Sequence, residues 1–319
     1  MWTYLWQNFL IDAKVRSYIA DKVLALYHEC WCEALIEIGP GKGSITRLIS
    51  TISPNFFVIE KDDSLVQNLE CRVQSNTKLP NLWTLSSKLW TLSSKLWTNI
   101  HIIQWDVLDV DVAAVLKDKK LYSSQTLVVG NLPYYITSPI LRKFFGYPAK
   151  DGTGSQQEFA GGVFMVQDEV GQKLRSDAKK KSYLRWLLNY AYEVKYLKWV
   201  PAKCFKPVPK VKSCLIELKI KNWKLPFQDE SLQDKKIEWD NLVAFLELFA
   251  PFSRKTLGAI QTMLTKRFAK DIEEGWGRLR KGKKDWGKLE NGFRYSIPET
   301  LQKKRLEELD RTQIQQILK

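Results

Sequence analysis

Histidine and cysteine are scarce in this sequence, with two His and five Cys among 319 residues. The cysteines stand at positions 30, 32, 71, 204 and 214, and the spacing of Cys30 and Cys32 does not match a zinc knuckle. We therefore expect no metal site. Five scattered thiols, an odd number, are typical of a reduced cytoplasmic protein.

Long apolar runs are also missing. No run of about 18 apolar residues occurs, so we expect no transmembrane helix. The segment from Met1 to Leu10 lacks a basic stretch followed by an apolar core, and we expect no signal peptide.

Acidic residues are outnumbered by basic ones. The 35 Asp and Glu residues stand against 50 Lys and Arg residues, which gives a formal net charge of +15. An excess of this size indicates a polyanionic partner. Nucleic acid is the first candidate and an anionic membrane surface is the second.

Short apolar runs predict the strands of an α/β sheet with helices between them. The predicted strands are 34–38, 56–59, 100–105, the run that ends at Asn131, 161–166, 194–199 and 214–220. Beyond Trp239 the pattern is helical only, with helices predicted at 242–249, 254–268 and twice within 298–318. We therefore predict an α/β domain over residues 1–222 and a small all-helical domain over residues 223–319.

A glycine-rich turn follows the first predicted strand. It reads Gly39-Pro40-Gly41-Lys42-Gly43, and Ser44 is the predicted N-cap of the next helix. A dinucleotide fingerprint would place its third glycine at position 44, where Ser44 stands instead. A tight turn of this kind suits a ligand whose amino-acid end approaches the backbone, without a pyrophosphate to bind. The turn therefore favours S-adenosylmethionine (SAM).

Acids end the next two predicted strands. Glu60 lies 17 residues after Gly43, where a carboxylate can bind ribose hydroxyls. Asp106 follows the third strand, where it can accept a hydrogen bond from the adenine amino group of SAM. Each feature alone also occurs as an ordinary strand-end acid or turn. Because parallel strands end at one edge of a sheet, we expect the glycine turn, Glu60, Asp106 and Asn131 to converge there.

The fourth predicted strand runs into Asn131-Leu132-Pro133-Tyr134. The amide oxygen of Asn131 and the carbonyl of Leu132, which Pro133 stiffens, can accept both hydrogens of an exocyclic amine. The Tyr134 ring can stack on a flat base. The motif therefore predicts a holder for an amino group on a planar heterocycle, with a plain strand and proline turn as the structural alternative.

With these motifs the chain resembles the small-subunit ribosomal RNA adenine-N6,N6-dimethyltransferases, the KsgA-like family. The resemblance is carried by residues 7–10, 37–43, 58–60, 106, 131–139 and 205–213, and by 252–257 and 305–309 in the helical tail. It implies a class I SAM-dependent methyltransferase fold. Such a fold has a Rossmann-like, mostly parallel seven-stranded sheet whose last strand is antiparallel, followed here by a small helical lobe.

The resemblance also implies roles for individual residues. Asn8 and Leu10 would close over SAM, and Gly39 would lie along its methionine part. Tyr134 and Phe205 would hold the target adenine between their rings. The predicted catalytic set is Asn131, Leu132, Pro133, Tyr134 and Phe205; the predicted SAM-binding set is Asn8, Leu10, Gly39, Gly41, Glu60, Asp106 and Asn131.

The implied activity is SAM-dependent N6,N6-dimethylation of adenosines, two adjacent ones, near the 3′ end of small-subunit ribosomal RNA during ribosome biogenesis. The partner would be that RNA or the immature small subunit, and we expect a cytoplasmic monomer without membrane association. Two alternatives stay open. One is a large-subunit adenine methyltransferase of the antibiotic-resistance type, and the other is an assembly factor whose binding matters more than its catalysis.

Lysine-rich stretches predict where RNA binds. Residues 195–224 carry nine lysines and one acid, Glu217, with Trp199, Phe205 and Trp223 among them. Residues 179–181 and 278–288 add further positive charge. Contacts from these lysines to phosphates would give salt-sensitive affinity.

Two stretches are unusual for the family. The segment 82–88 repeats as 89–95 and begins again at 96, which we interpret as a tandem duplication within a surface connection. Residues 275–292 are rich in Gly, Lys and Trp and predict a loop or insertion.

Overall fold

The computed structural model describes residues 8–76, 100–146, 159–175, 177–178, 182–221, 232–252, 254–273, 296–309 and 311–318. Gln7, the repeat at 82–98, the lysines at 179–181, the stretch 222–231 and the predicted loop at 275–292 lie outside the described residues. The chain divides into two compact units. One comprises Met1–Asp177 and Leu187–Gln228, and the other Ala178–Trp186 and Asp229–Lys319.

The first unit is built on a mostly parallel sheet. The strands of the chain are β1 (Phe9–Leu10), β2 (Ala34–Ile38), β3 (Asn55–Glu60), β4 (Ile100–Gln104), β5 (Thr126–Asn131), β6 (Gly161–Gln167), β7 (Tyr192–Val200), β8 (Phe205–Lys206) and β9 (Ser213–Ile220). Seven of them form one sheet in the order β4-β3-β2-β5-β6-β9-β7. In this sheet β9 is antiparallel to both of its neighbours, and the other pairs are parallel. The predicted fold, a mostly parallel seven-stranded sheet with its last strand antiparallel, is confirmed.

Helices connect these strands and form the described elements of the second unit. They are α1 (Ala13–Glu29), α2 (Thr46–Ile49), α3 (Asp63–Asn76), α4 (Val112–Asp118), α5 (Thr137–Phe145), α6 (Asp168–Leu174) and α7 (Tyr183–Ala191), then α8 (Leu232–Phe249), α9 (Leu257–Glu273), α10 (Glu299–Gln302) and α11 (Arg311–Leu318). Among the helices described here, none is long and apolar enough to cross a membrane.

Hydrophobic burial explains the central strands. All five residues of β2 are buried, as are the first five of β5, because helices cover both faces of the sheet. On one face, α1 contributes Val15, Ile19, Val23 and Leu26 to the core, at helical spacing. The Asp12 carboxylate caps this helix by accepting from the Val15 N–H at 2.9 Å.

The helix after the glycine turn begins later than predicted. Gly39, Gly41 and Gly43 all have positive φ angles, of 63°, 56° and 70°. The chain cannot enter a right-handed helix before the last of these left-handed residues. The helix α2 therefore starts at Thr46, with Ile45 at its N-cap and no side-chain hydrogen bond, and the predicted Ser44 cap is wrong.

A two-stranded ribbon was missed from the sequence. β1 and β8 pair antiparallel, with Leu10 opposite Phe205, and the Ile11 N–H donates to the Cys204 carbonyl at 2.8 Å. Pro207 and Pro209 within residues 205–210 argue against a strand there, because proline cannot donate to a strand ladder. Strands of two residues carry no periodicity, so only the folded chain can bring these distant segments together.

The close packing of α6 on β9 leads to a stability prediction. A Cβ atom on Gly171 would collide with the Cys214 Sγ atom and lie 3.2 Å from Ile216 Cγ2. Gly171→Ala is expected to lower the free energy of unfolding by about 1–3 kcal/mol, measured by urea denaturation. The double variant Gly171→Ala/Cys214→Ala should lose less than the sum of the single losses, since the colliding sulfur is gone. Strict additivity would contradict the collision.

Candidate functional site

The carboxyl ends of four neighbouring strands carry the predicted site. Asp106 follows β4, Glu60 ends β3, Gly39 follows β2 and Asn131 ends β5, and these strands are consecutive in the sheet. The register places Ile38 opposite both Ile59 and Gly130, so the strand ends lie level with one another. The structure therefore brings the four features predicted to converge to one edge.

The glycine turn leaves room on one side only. A Cβ atom on Gly39 would meet no atom within 4 Å, although its φ of +63° favours glycine. A Cβ on Gly41 would instead lie 3.1 Å from the Phe9 ring, which covers that side of the turn. The backbone of Gly39 is thus open to a ligand.

Backbone amides hold the Glu60 carboxylate in place. Its Oε1 atom accepts from the N–H groups of Lys61 and Asp62, at 2.9 and 3.1 Å, and Oε2 accepts from the Gly41 N–H at 3.2 Å. The residue is 7% exposed. Because Oε2 has a single donor among the described residues, it keeps a lone pair for a ligand hydroxyl.

Two lysines that sequence reasoning missed organise the loop of Asp106. Lys61 Nζ pairs with Asp106 Oδ2 at 2.8 Å, and Oδ1 accepts from the Leu108 N–H at 2.9 Å. The lysine is the main reason that the pKa of Asp106 lies below its ordinary value, with the amide second. Lys143 donates to the carbonyls of Leu108 and Val110, at 2.9 and 2.6 Å, and so fixes the loop. Nothing in the sequence pattern pointed to Lys143.

The Asn131 amide is oriented by the N-terminal segment. Its Nδ2 atom donates to the Asn8 carbonyl at 3.0 Å. Because this bond engages the amide nitrogen, Oδ1 is the atom of the Asn131 amide that remains available as an acceptor. Leu10, in contrast, is 2% exposed and packs in the core, so of the two N-terminal residues predicted to cover SAM it is Asn8 that reaches Asn131.

The residues after Asn131 are held by the sheet and by their own turn. The Leu132 N–H donates to the Met165 carbonyl on β6 at 3.1 Å, and the Leu132 side chain is 1% exposed. The Pro133 carbonyl accepts from the Ile136 N–H and the Thr137 hydroxyl, both at 3.1 Å. This turn starts α5 and fixes the direction of the motif.

The two aromatic residues predicted to hold the adenine differ in exposure, since Tyr134 is half-buried and Phe205 is buried. The Tyr134 hydroxyl bonds the Ser213 hydroxyl at 2.6 Å, and burial is the main reason that the pKa of Tyr134 is raised. Phe205 is 1% exposed and belongs to the core with Leu10 and Leu215. The structure thus does not present the Phe205 ring on the surface. Ser213 is a further residue that sequence reasoning missed.

Glu37 is a buried acid beneath the glycine turn. It lies on β2 two residues before Gly39, is 2% exposed, and its Oε2 has no hydrogen-bond partner among the described residues. Burial is the main cause that raises the pKa of Glu37 to about 8, and the Glu60 carboxylate adds to it. Its place as the charged residue of an otherwise apolar strand was the sequence signal that could have identified it.

Among the described residues, the cysteines and the metal-binding residue types form no further site. All five cysteines are free, with Cys71 exposed and the other four buried. Burial raises the pKa of Cys30 to about 11 and that of Cys214 to about 12, so both remain thiols at neutral pH. Within the part of the chain that is described, no group of three His, Cys, Asp or Glu residues could hold a metal ion.

Comparison with known proteins places the chain among RNA methyltransferases. The family model for ribosomal RNA adenine dimethylase matches residues 3–84 and 84–244. Ribosomal RNA small subunit methyltransferase A of Clostridium perfringens is 31% identical over 236 residues, which cover 70% of this chain and 69% of the relative. The protein of the same name from Fusobacterium nucleatum is 29% identical over 266 residues, or 83% of each chain.

Two solved structures share the fold. A dimethyladenosine transferase from Plasmodium falciparum superposes with a TM-score of 0.60 at 18% identity, covering 97% of this chain and 95% of that one. The 23S rRNA methyltransferase ErmE superposes with a TM-score of 0.53, also at 18% identity, covering 83% and 89%. At this identity the likeness concerns the fold alone.

Glu37 generates a prediction on stability and pH. The pKa of Glu37 in the folded chain, about 8, lies above its ordinary value of 4.5, so between these pH values the unfolded chain releases a proton that the folded chain keeps. Stability is then lost as pH rises, by up to about 1.4 kcal/mol per pH unit. Glu37→Gln, which stays neutral, is expected to gain stability over the parent chain as pH rises from 5 to 8, by denaturant unfolding without cofactor. A difference that is constant with pH would show that Glu37 is ionised in the folded chain.

Proposed function

The chain belongs to the ribosomal RNA adenine dimethylase family, and from this membership we propose that it transfers methyl groups from SAM to the N6 atoms of adenosines in small-subunit ribosomal RNA. The observation that carries the proposal is the convergence of the glycine turn, Glu60, Asp106 and Asn131 at one sheet edge. Dimethylation of two adjacent adenosines near the 3′ end, during ribosome biogenesis, is the finer form of the proposal and rests on the family resemblance.

The site fits SAM in chemistry and in space. The open side of Gly39 admits the methionine part, and Glu60 Oε2 has a lone pair for a ribose hydroxyl. Asp106 is an ionised acceptor for the adenine amino group, which would share it with Lys61. When bound, SAM supplies an electrophilic methyl group on a sulfonium.

Asn131 and Leu132 are proposed to make the target amine reactive. The nitrogen of an adenine amino group is a poor nucleophile because its lone pair is delocalised into the ring. The Asn131 Oδ1 atom and the Leu132 carbonyl would accept the two N6 hydrogens and so turn the lone pair toward the methyl group. The Asn8 carbonyl, by accepting from Asn131 Nδ2, keeps the amide oxygen available for this task.

Positioning then supplies much of the rate acceleration. Holding the amine and the methyl group in line removes an entropic barrier that can amount to about 7–11 kcal/mol. The proton released from N6 passes to water, since the proposed catalytic residues include no strong base. A second methylation of the same nitrogen uses the same residues, because the monomethylated amine can rotate its remaining hydrogen toward either acceptor.

The target adenosine must leave its stack to enter the site. Stacking on Tyr134 and Phe205 would recover about 1–3 kcal/mol per base. Since the Phe205 ring is 1% exposed, its contact with a base requires the ribbon of β1 and β8 to shift when RNA binds.

The small subunit is favoured over the large subunit as substrate. The relatives at about 30% identity are named for the small subunit, whereas ErmE is related at 18% identity and shares the fold. The assembly-factor alternative is compatible with catalysis and has no separate observation in its favour. We propose that the protein is cytoplasmic, since its five free cysteines suit a reducing compartment, and that it acts as a monomer.

Methyl transfer and its dependence on Asn131 test the proposal together. Incubation with labelled SAM and unmethylated small subunits is expected to yield N6,N6-dimethyladenosine on mass analysis of the RNA. Asn131→Ala should bind SAM within a few-fold of the parent chain yet lose about 100-fold or more in methyl transfer, because the amine is no longer aimed.

Asn131→Asp is the matched control, since it keeps an acceptor oxygen but cannot donate to the Asn8 carbonyl. The methyl-transfer activity of this variant should fall well below that of the parent chain. This result would separate the effect of the orienting hydrogen bond from the effect of the acceptor oxygen. Full activity of Asn131→Ala would rule out this mechanism. Methylation of the RNA at an atom other than adenine N6 would rule out the assigned activity.

Two variants of Tyr134 distinguish its hydrogen bond to Ser213 from the stacking of its ring on a base. Tyr134→Phe keeps the ring but leaves the buried Ser213 hydroxyl without this partner, at a cost of about 1–3 kcal/mol in unfolding free energy. Its KM for RNA should stay near that of the parent chain. Tyr134→Ala should raise the KM by about 5- to 100-fold, because the stacking surface is lost. Equal KM values for the two variants would argue against a stacking role.

A further inference from the structure

A glutamine ends the strand next to β5. Gln167 is the last residue of β6, and the six residues before it are buried. It is half-buried and occupies the N-cap position of α6, yet its side chain makes no capping hydrogen bond. Its backbone carbonyl accepts from the Cys214 thiol at 3.8 Å, but its side-chain amide bonds to none of the described residues. The amide is therefore available to a ligand.

Core residues show which way the ends of three strands face. They are Val129 on β5, Met165 on β6 and Leu215 on β9, all packed in the core cluster that contains the buried side chains of α1. Successive side chains of a strand alternate between the two faces of a sheet. The residues two positions nearer the carboxyl edge therefore point to the α1 face as well, and these are Asn131, Gln167 and Ser213.

The proposed ribose-binding residue, Glu60, points to the same face. It lies two positions after Val58 of β3, which belongs to the same core cluster. Along the sheet the order of the strands is β3, β2, β5, β6, β9. On this face Asn131 thus has the proposed cofactor residue on one side and Gln167 on the other, which is the side of the proposed base-binding residue Tyr134.

Gln167 stands beside the hydrogen bond between Tyr134 and Ser213. It is directly opposite Ser213 in the pairing of β6 with β9, and the Cβ atoms of such partners are about 4.5–5.5 Å apart. Because Asn131 is opposite Met165, Gln167 lies one strand away from Asn131 and two residues farther out. A strand spacing of about 4.8 Å and a rise of about 3.3 Å per residue put the two Cα atoms roughly 8 Å apart. Side chains at this distance can bond to neighbouring atoms of one base.

The amino group alone does not fix the orientation of the target base. Asn131 and Leu132 are proposed to accept the two N6 hydrogens, which holds the nitrogen but leaves the ring free to tilt. The ring nitrogens N1 and N7 flank the amino group of adenine, and both are hydrogen-bond acceptors. The side-chain NH2 of Gln167 can donate to one of them. Enzymes that act on extruded bases recognise them by hydrogen bonds of this kind.

We propose that Gln167 binds the target adenine by donating a hydrogen bond from its side-chain NH2 to a ring nitrogen beside N6. The inference rests on the proposed function and adds a residue that fixes the plane of the base. With N6 held by Asn131 and Leu132, this third bond keeps the N6 lone pair directed at the methyl group.

A leucine variant tests the need for the donor. Gln167→Leu removes the amide and keeps a side chain of similar size, and it is expected to lower kcat/KM for small-subunit ribosomal RNA by about 10- to 100-fold. Its SAM affinity should stay near that of the parent chain, because Gln167 lies on the far side of Asn131 from Glu60. The matched control is Gln125→Leu before β5, at the opposite edge of the sheet, where the amide bonds Glu33 at 3.1 Å. The control should keep the methyl-transfer activity of the parent chain.

Base analogues test the hydrogen bond itself and do not require a variant that folds. The methylated adenosine of the RNA is replaced by 1-deazaadenosine or by 7-deazaadenosine, each of which lacks one of the two ring nitrogens beside N6. The parent chain is expected to methylate one of the two analogues about 10- to 100-fold less efficiently than adenosine. Gln167→Leu should not distinguish that analogue from adenosine, because the donor is already absent. The analogue that is disfavoured identifies the nitrogen.

The proposal is overturned if Gln167→Leu keeps the activity of the parent chain, or if the parent chain methylates both analogues as efficiently as adenosine. Either result leaves the proposed function intact. The proposal is also overturned if Gln167→Leu loses SAM affinity in proportion to methyl transfer, which would assign the amide to the cofactor. A parent chain that binds SAM but methylates no adenosine would defeat the proposed function, and this inference with it.

Discussion

The parallel pairing of β2 with β3 and with β5 is the constraint on which the candidate site depends. The backbone hydrogen bonds of these pairs fix which residues are level at the sheet edge. A shift of one residue would turn every side chain to the other face of the sheet. The central strands are buried on both faces, so a shift would expose apolar residues and is disfavoured. The packing of the core therefore fixes the positions of the site residues.

The acids around this edge have different partners. Three backbone amides surround the carboxylate of Glu60, and Lys61 keeps Asp106 ionised. Glu37, on β2 two residues before Gly39, has no cation beside it among the described residues, and burial raises its pKa to about 8. Asp106 and Glu37 thus differ in pKa because their surroundings differ, not because their chemistry does.

The two halves of the sheet edge differ in chemistry. The half from β4 to β2 offers acids and an open glycine backbone, which suit a nucleoside with an amino-acid tail. The half from β9 to β7 offers uncompensated lysines and Trp199, which suit a polyanion. Asn131 on β5 stands between the halves, and its amide donates to the carbonyl of Asn8, the residue before β1.

The sequence alone determined the strands of the sheet, the glycine turn and the acids at the strand ends, because burial and turn chemistry are local patterns. It also allowed the family to be identified from motifs spread over the chain. It did not determine the ribbon of Leu10 and Phe205, the hydrogen bond from Asn131 to Asn8, or the hold of Lys143 on the Asp106 loop. These contacts join residues from distant parts of the chain, and the periodicity of the sequence does not predict them. Whether a lysine is neutralised, as Lys219 is and Lys212 is not, likewise depends on neighbours that only the tertiary structure supplies.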